Sequence, residues 1–210
     1  MKITIKVITV GNWKANCYLI AYQNEAWIID PGEEAENIIT QFSLDQLKIL
    51  GIVNTHGHFD HIGAIAGIQE KYKTPFYIHS NEKRLVHQGN LYRRLAGDFT
   101  IVKTPVIDSY LDSLPALPLG DKEIRIHLIP GHTGGSVCFE CDGHLFPGDL
   151  IFESSIGRAD LPGGNKELLQ SSVKFLLHHF IGFEIHPGHG KSFILEADYI
   201  KNLKTTTQWD

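Results

Sequence analysis

A chain of 210 residues with 42% hydrophobic and 20% charged residues can bury a core of its own and is ordinary for a globular protein. Its 24 acidic against 19 basic residues, a formal charge of -5, give no general attraction to nucleic acid or to an anionic membrane, and neither is expected as a partner. No apolar run reaches the roughly 18 residues of a membrane span, residues 1–7 alternate as a strand where a signal peptide would be continuously apolar, and 3 cysteines are too few for a disulfide framework, so a cytoplasmic location is expected.

Residues 2–10, 17–21 and 26–29 predict a meander of strands leading into the Asp30-Pro31-Gly32 turn. Ala35, Ile38, Ile39 and Phe42 fall at i, i+3, i+4 and i+7, the stripe of a helix buried on one side. A strand at residues 49–53 then runs into Thr55-His56-Gly57-His58-Phe59-Asp60-His61, a cluster of potential metal ligands. Ile62, Ile65, Ile68 and Tyr72 place that cluster at the N-terminal end of a helix, and residues 76–78 predict the next strand. The pattern weakens over residues 80–119. A helix around residues 82–86 gives way to a proline-containing segment that reads as a variable lid or connection, with Lys83, Arg84, Arg93 and Arg94 as a solvated helix face.

Residues 124–129 resume as a strand ending at Pro130-Gly131-His132-Thr133-Gly134-Gly135-Ser136. Residues 137–141 and 144–146 predict a hairpin about Asp142-Gly143, closed by Gly148-Asp149. Cys138 and Cys141 have C-x-x-C spacing, but on a strand; a redox dithiol would open a helix. Asn165 predicts the N-cap of a helix with Leu168, Leu169, Val173, Leu176, Leu177 and Phe180 on its apolar face. Residues 183–185 deliver His186-Pro187-Gly188-His189-Gly190, in which His186 rivals His189 as a ligand. The histidines at 79, 87, 127, 144, 178 and 179 are read as surface or packing residues.

Four glycine-rich loops, each following a strand, thus present His56, His58, Asp60, His61, His132, Asp149 and His189. A catalytic zinc takes about three protein ligands, so this set predicts two metals. Imidazole and carboxylate without thiolate suit zinc, iron or manganese, and two divalent ions, zinc first, are expected. Asp30 and Thr55 are candidates to orient ligating imidazoles through their second N–H, or equally to form a turn and cap a strand. Strand groups alternate with helices in two similar halves, which predicts one α/β domain over residues 1–210 with helices outside two sheets and the ligands along one edge.

The ordered motifs His56-x-His58-x-Asp60-His61, Gly131-His132-Thr133, Gly148-Asp149 and Pro187-Gly188-His189-Gly190 resemble the metallo-β-lactamase superfamily over roughly residues 1–190. Ser155-Ile156-Gly157-Arg158-Ala159-Asp160-Leu161-Pro162-Gly163-Gly164 is similar to the short bacterial glyoxalase II-like hydrolases within it. The resemblance implies a four-layer αβ/βα sandwich in which His56, His58 and His132 hold one metal, Asp60, His61 and His189 the other, and Asp149 bridges both. It implies a hydroxyacylglutathione hydrolase-like thioesterase, in which a metal-bridging hydroxide attacks S-D-lactoylglutathione or a similar small-molecule thioester. Asp60 would orient that hydroxide as well as bind metal. Arg158 stands where such enzymes carry a substrate-binding cation; a structural salt bridge to Asp160 is the other reading. No C-terminal glutathione-binding helical domain is expected. The competing expectations are a persulfide dioxygenase-like oxidoreductase with mononuclear iron and a lactonase of the same fold. Oligomeric state has no signature in the sequence.

Overall fold

In the computed structural model, which describes residues 2–203, the expected meander is β1 (Thr4–Val10), β2 (Ala15–Tyr22) and β3 (Glu25–Ile29). There follow α1 (Ala35–Phe42), β4 (Lys48–Val53), α2 (Ile65–Tyr72), β5 (Phe76–Ile78), the short helices α3 (Lys83–His87) and α4 (Gly89–Leu95), and β6 (Ser109–Tyr110). The second half comprises β7 (Ala116–Leu119), β8 (Lys122–Leu128), β9 (Val137–Cys141), β10 (His144–Gly148), β11 (Ile151–Phe152), β12 (Ser155–Ile156), α5 (Lys166–His179), β13 (Glu184–Pro187) and β14 (Phe193–Ile194). Met1 and residues 204–210, included in the expected 1–210 domain, lie outside the described residues.

Two 6-stranded sheets result, ordered β1-β2-β3-β4-β5-β6 and β14-β13-β10-β9-β8-β7. The first is antiparallel as far as β3 and parallel beyond it. In the second, β10 and β13 form a parallel pair. β2 shows why the sheets stack: it is buried along its whole length, and its period of two sends alternate residues to opposite faces. Cys17, Leu19 and Ala21 pack with Ile38, Ile39 and Phe42 of α1 and Ile65 and Ile68 of α2. Tyr18, Ile20 and Tyr22 meet Leu117, Ile124, Phe139 and Phe146 of the other sheet. The outer face of that sheet is covered by Leu169, Val173 and Leu176 of α5. Asn165 starts α5 by accepting the N–H of Leu168 at 2.9 Å. Leu168 alone leaves the predicted stripe, at 44% exposed. The layers therefore run helix, sheet, sheet, helix.

The same alternation disposes of the C-x-x-C spacing. Cys138 faces α5 and Cys141 faces the space between the sheets, and burial pushes both thiols up, Cys141 to about 11. Among the described residues no helix is long and apolar enough to cross a membrane.

Residues 80–119 correct the expectation of a mere lid or connection. They contribute α3, α4 and a strand to each sheet. Lys83, Arg84 and Arg94 are exposed as expected, but Arg93 is buried, with 1% of its surface exposed. Its guanidinium donates to the carboxylates of Glu33 and Asp98 and to the Phe59 carbonyl, and lies 5.3 Å from the Phe59 ring centre. A charged residue in a helical stretch reads as solvated because nothing local announces Glu33 or Phe59. Removing one partner of a buried ion pair leaves charge without compensation. Arg93→Ala is therefore expected to lower unfolding free energy by about 3 kcal/mol in urea titrations; a loss below about 0.5 kcal/mol, the range of ordinary surface substitutions, would contradict a structural role.

Candidate metal centre

The centre forms at one edge of the sandwich, where strands end. β3 delivers Asp30, β4 the 54–61 segment, β8 the loop with His132, β10 Asp149 and β13 the loop with His189. Backbone bonds join these ends across the two sheets: Val137 N–H donates to Thr55 O at 2.8 Å and Asn16 N–H to Gly188 O at 2.7 Å. Asn16 Nδ2 also donates to the carbonyls of Pro187 and Gly190, and Tyr18 Oη to that of Pro187. Two glycines are required by close approach. A Cβ on Gly188 would lie 2.1 Å from Asp149 Oδ1, and one on Gly148, whose φ is +55°, 2.4 Å from Thr55 Oγ1.

The structure brings together all seven predicted donors. His56, His58 and His132 form one group and Asp60, His61 and His189 another, the ligand atoms of each lying within 4.8 Å of one another. His58 Nδ1 faces His132 Nε2 at 2.9 Å, and His189 Nε2 lies 3.3 Å from both His61 Nε2 and Asp60 Oδ2. Asp149 sits between the groups. Its Oδ2 is 3.7 Å from His132 Nε2 and 3.5 Å from His189 Nε2, and its Oδ1 is 3.6 Å from His61 Nε2.

In four of the five histidines the other ring nitrogen is held by the protein. His61 Nδ1 faces Asp30 Oδ2 at 3.2 Å, His56 Nδ1 faces Thr55 Oγ1 at 3.0 Å, and Asp30 accepts both the N–H and the hydroxyl of Thr55. His132 Nδ1 is 2.8 Å from the carbonyl of Arg158 and His189 Nδ1 is 3.1 Å from that of Lys14. Such contacts fix the tautomer and aim the far nitrogen inward. Asp30 also comes within ligand distance of His56 and His61, but its oxygens are engaged by Thr55 and His61.

The donor set fits metal ions. His56 Nε2 and Asp149 Oδ1 are buried without a hydrogen-bond partner, an arrangement that costs about 1–3 kcal/mol per group unless something else satisfies it. Burial drives the proton from His56 and takes His58 down to about 3, leaving neutral rings of the kind that ligate. Burial also opposes charge on Asp149, yet the imidazoles of His61, His189, His56 and His132 hold its carboxyl well below the usual range. Asp60 and Asp149, joined at His61 by Asp30, in turn outweigh burial at His61 and His189, raising them to about 9 and about 11. Without metal, protons on these two rings balance Asp60 and Asp149.

Sequence reasoning passed over Glu82, the residue that joins two of the loops. It is fully buried, and its carboxylate accepts the N–H of Gly57 and that of Gly135, each at 2.7 Å. It thereby pins the His56–His58 turn to the His132 loop. A lone glutamate opening a helix carries no local sign of this. Above the donors opens a cavity of about 620 Å³ walled by Trp13, Phe59, Leu85, Tyr92, Leu95 and Phe152. Arg158 is the only lysine or arginine among the described residues lining it, and its guanidinium grips Asp160 in a bidentate pair at 2.7 and 2.6 Å.

Glu82→Leu should weaken metal binding by about 10–100-fold, the usual effect of losing an outer partner, as read by chelator competition; unchanged affinity would remove Glu82 from the positioning role. Metal uptake at pH 7 should release at least two protons, because ligands bind deprotonated and His61 and His189 start protonated. Affinity should accordingly rise with pH up to the upper of these values. Calorimetry in buffers of different ionisation enthalpy measures the release, and a value near zero would contradict the charge assignment.

The metallo-beta-lactamase superfamily pattern matches residues 10–178. The chain is 40% identical over 177 residues to an uncharacterized protein of Aquifex aeolicus, covering 82% of each. It is 35% identical over 167 residues to the probable metallo-hydrolase YqgX of Bacillus subtilis, covering 78% of this chain and 79% of the relative. It is 34% identical over 179 residues to the hydroxyacylglutathione hydrolase GloC of Haemophilus influenzae, covering 81% and 82%. Two solved structures superpose with a TM-score of 0.85 over 95% of this chain and 98% of theirs: the B3 metallo-beta-lactamase BLEG-1, 33% identical, and TTHA1623 in a di-iron-bound form, 31% identical. The helix-sheet-sheet-helix layering is the single-domain α/β fold of that superfamily, which includes metallo-hydrolases. In both sequence and fold, the chain belongs to the metallo-beta-lactamase superfamily.

Proposed function

We propose that the chain is a dinuclear metal-dependent thioesterase of the glyoxalase II type, with S-D-lactoylglutathione as its reference substrate. One observation carries this reading: the donors fall into two groups with Asp149 within reach of both, on the floor of an open cavity. His56, His58 and His132 would hold one ion and Asp60, His61 and His189 the second, with Asp149 shared. When bound, two divalent ions supply Lewis acidity, making hydroxide available at neutral pH and polarising a scissile carbonyl. A single iron on two histidines and one aspartate would leave the remaining donors without a task. The likeness to GloC supports the thioester class, and the di-iron form of TTHA1623 supports iron beside zinc as occupant.

The side chains divide the remaining work. Burial opposes charge on Asp60, but the imidazoles of His61 and His189 keep its carboxyl below the usual range, so it stays an acceptor able to orient a water by its proton. The apolar walls exclude bulk water and receive the uncharged part of a substrate. A thiol leaving group with a pKa of about 8.5 departs as thiolate without a proton donor. Anionic parts of glutathione would be recognised by Arg158 only through exchange of its Asp160 partner for a substrate carboxylate.

A panel of glutathione thioesters, other thioesters, lactones and a β-lactam, run on protein loaded with zinc or iron, tests the reading. Thioesters should turn over fastest, and Asp149→Ala should lower kcat/KM by about 10³-fold with the fold retained by circular dichroism. Turnover of the lactone alone, or of the β-lactam alone as the likeness to BLEG-1 would have it, overturns the thioester assignment.

A further inference from the structure

His186, three residues before His189, takes no part in the centre described above. Its ring is buried between the sheets, stacked on Phe146 with centres 4.8 Å apart and edge-on to Tyr18. It belongs to a second cluster. β10 and β13 run parallel with His144 opposite Glu184, and the period of two along β13 puts Glu184 and His186 on the same face. The three residues line a cavity of about 390 Å³ at the sandwich edge, beside Ile3, Ile5 and Val7.

We propose that His144, Glu184 and His186 form a second metal-binding site, for one zinc-class divalent ion with its remaining position open to water. His144 Nδ1 lies 3.0 Å from His186 Nε2 and 3.4 Å from Glu184 Oε2, and the three ligand atoms fall within 4.8 Å of one another. The pairs in the principal centre have the same spacing, 2.9 Å for His58 with His132 and 3.3 Å for Asp60 with His189. Ligands about 2.0–2.2 Å from a tetrahedral ion stand about 3.4 Å apart. Ser192 Oγ, 2.9 Å from His186 Nδ1, is the outer partner that frees Nε2 for the ion. Burial lowers His186 to about 4, so the ring is neutral at pH 7, as a ligand must be. Two imidazoles and one carboxylate favour zinc, nickel or copper over calcium or magnesium, which take oxygen ligands. An ion here would clasp β10 to β13, the strands whose ends carry Asp149 and His189.

The alternative is a metal-free hydrogen-bond chain from Glu184 through His144 and His186 to Ser192. Metal-stripped full-length protein is equilibrated with excess zinc, freed of unbound metal on a column, and its zinc counted by plasma emission. Wild type should retain one zinc more per chain than His144→Ala. Zinc-edge anomalous density should fall at the cluster, and the unfolding temperature of wild type should rise with a second phase of zinc addition that the variant lacks. Should His144→Ala fail to fold, Glu184→Gln, at a half-buried position, reads the same difference, with the extra zinc and the second phase lost. Equal zinc content in wild type and variants, or no second phase, overturns the proposal. The count needs no turnover, so it stands or falls separately from the thioesterase reading.

Discussion

Two buried carboxylates hold the metal-ligating loops in place: Asp30 and Glu82. Asp30 accepts the N–H and hydroxyl of Thr55 and faces His61, and Glu82 accepts the N–H groups of Gly57 and Gly135. A loop that lies buried must find acceptors for its backbone donors. Carbonyls of a neighbouring strand serve one donor in one direction, whereas a carboxylate reaches two loops at once. Through these two residues the segment from Thr55 to His61, the His132 loop and the end of β3 become one rigid body, and the ligand positions inherit that rigidity.

Charge explains why so rigid a cradle has a purpose. Asp60 and Asp149 stay ionised although burial opposes it, because imidazoles surround them. His61 and His189 carry protons where His56 and His58 do not, so the metal-free centre is already polarised toward accepting cations. Displacing those protons with metal changes charge more than shape. The orphaned atoms of His56 and Asp149 are the part of the arrangement that an ion at the centre would satisfy. Above this polar floor the cavity walls are mostly apolar, with Arg158 the one lysine or arginine among the described lining residues.

The alternation of β-strands decides several roles with one rule. It sends Cys138 and Cys141 to opposite faces, which ends any dithiol chemistry. It also separates His186 from His189: the former faces the space between the sheets, and only the turn through Pro187 and Gly188 re-aims the chain so that the latter reaches the centre. That turn is possible because Gly188 leaves room for the Asp149 carboxylate.

By itself the sequence determined the strands and helices whose apolar periods are strong, the caps and turns, and the chemical identity of the donors at strand ends. Those features are local: β5, the Asn165 cap and the His56 to His61 cluster are each set by residues within a few positions. Only the tertiary structure decided that Arg93 is buried, that Glu82 anchors two loops, that the carbonyls of Lys14 and Arg158 orient His189 and His132, and that His144 meets Glu184 and His186. The bond from Gly135 to Glu82 spans 53 positions and that from His189 to Lys14 spans 175. A lone charged residue or a backbone carbonyl looks the same in sequence whether it faces water or a partner from a distant strand, so its role exists only once the two sheets have packed.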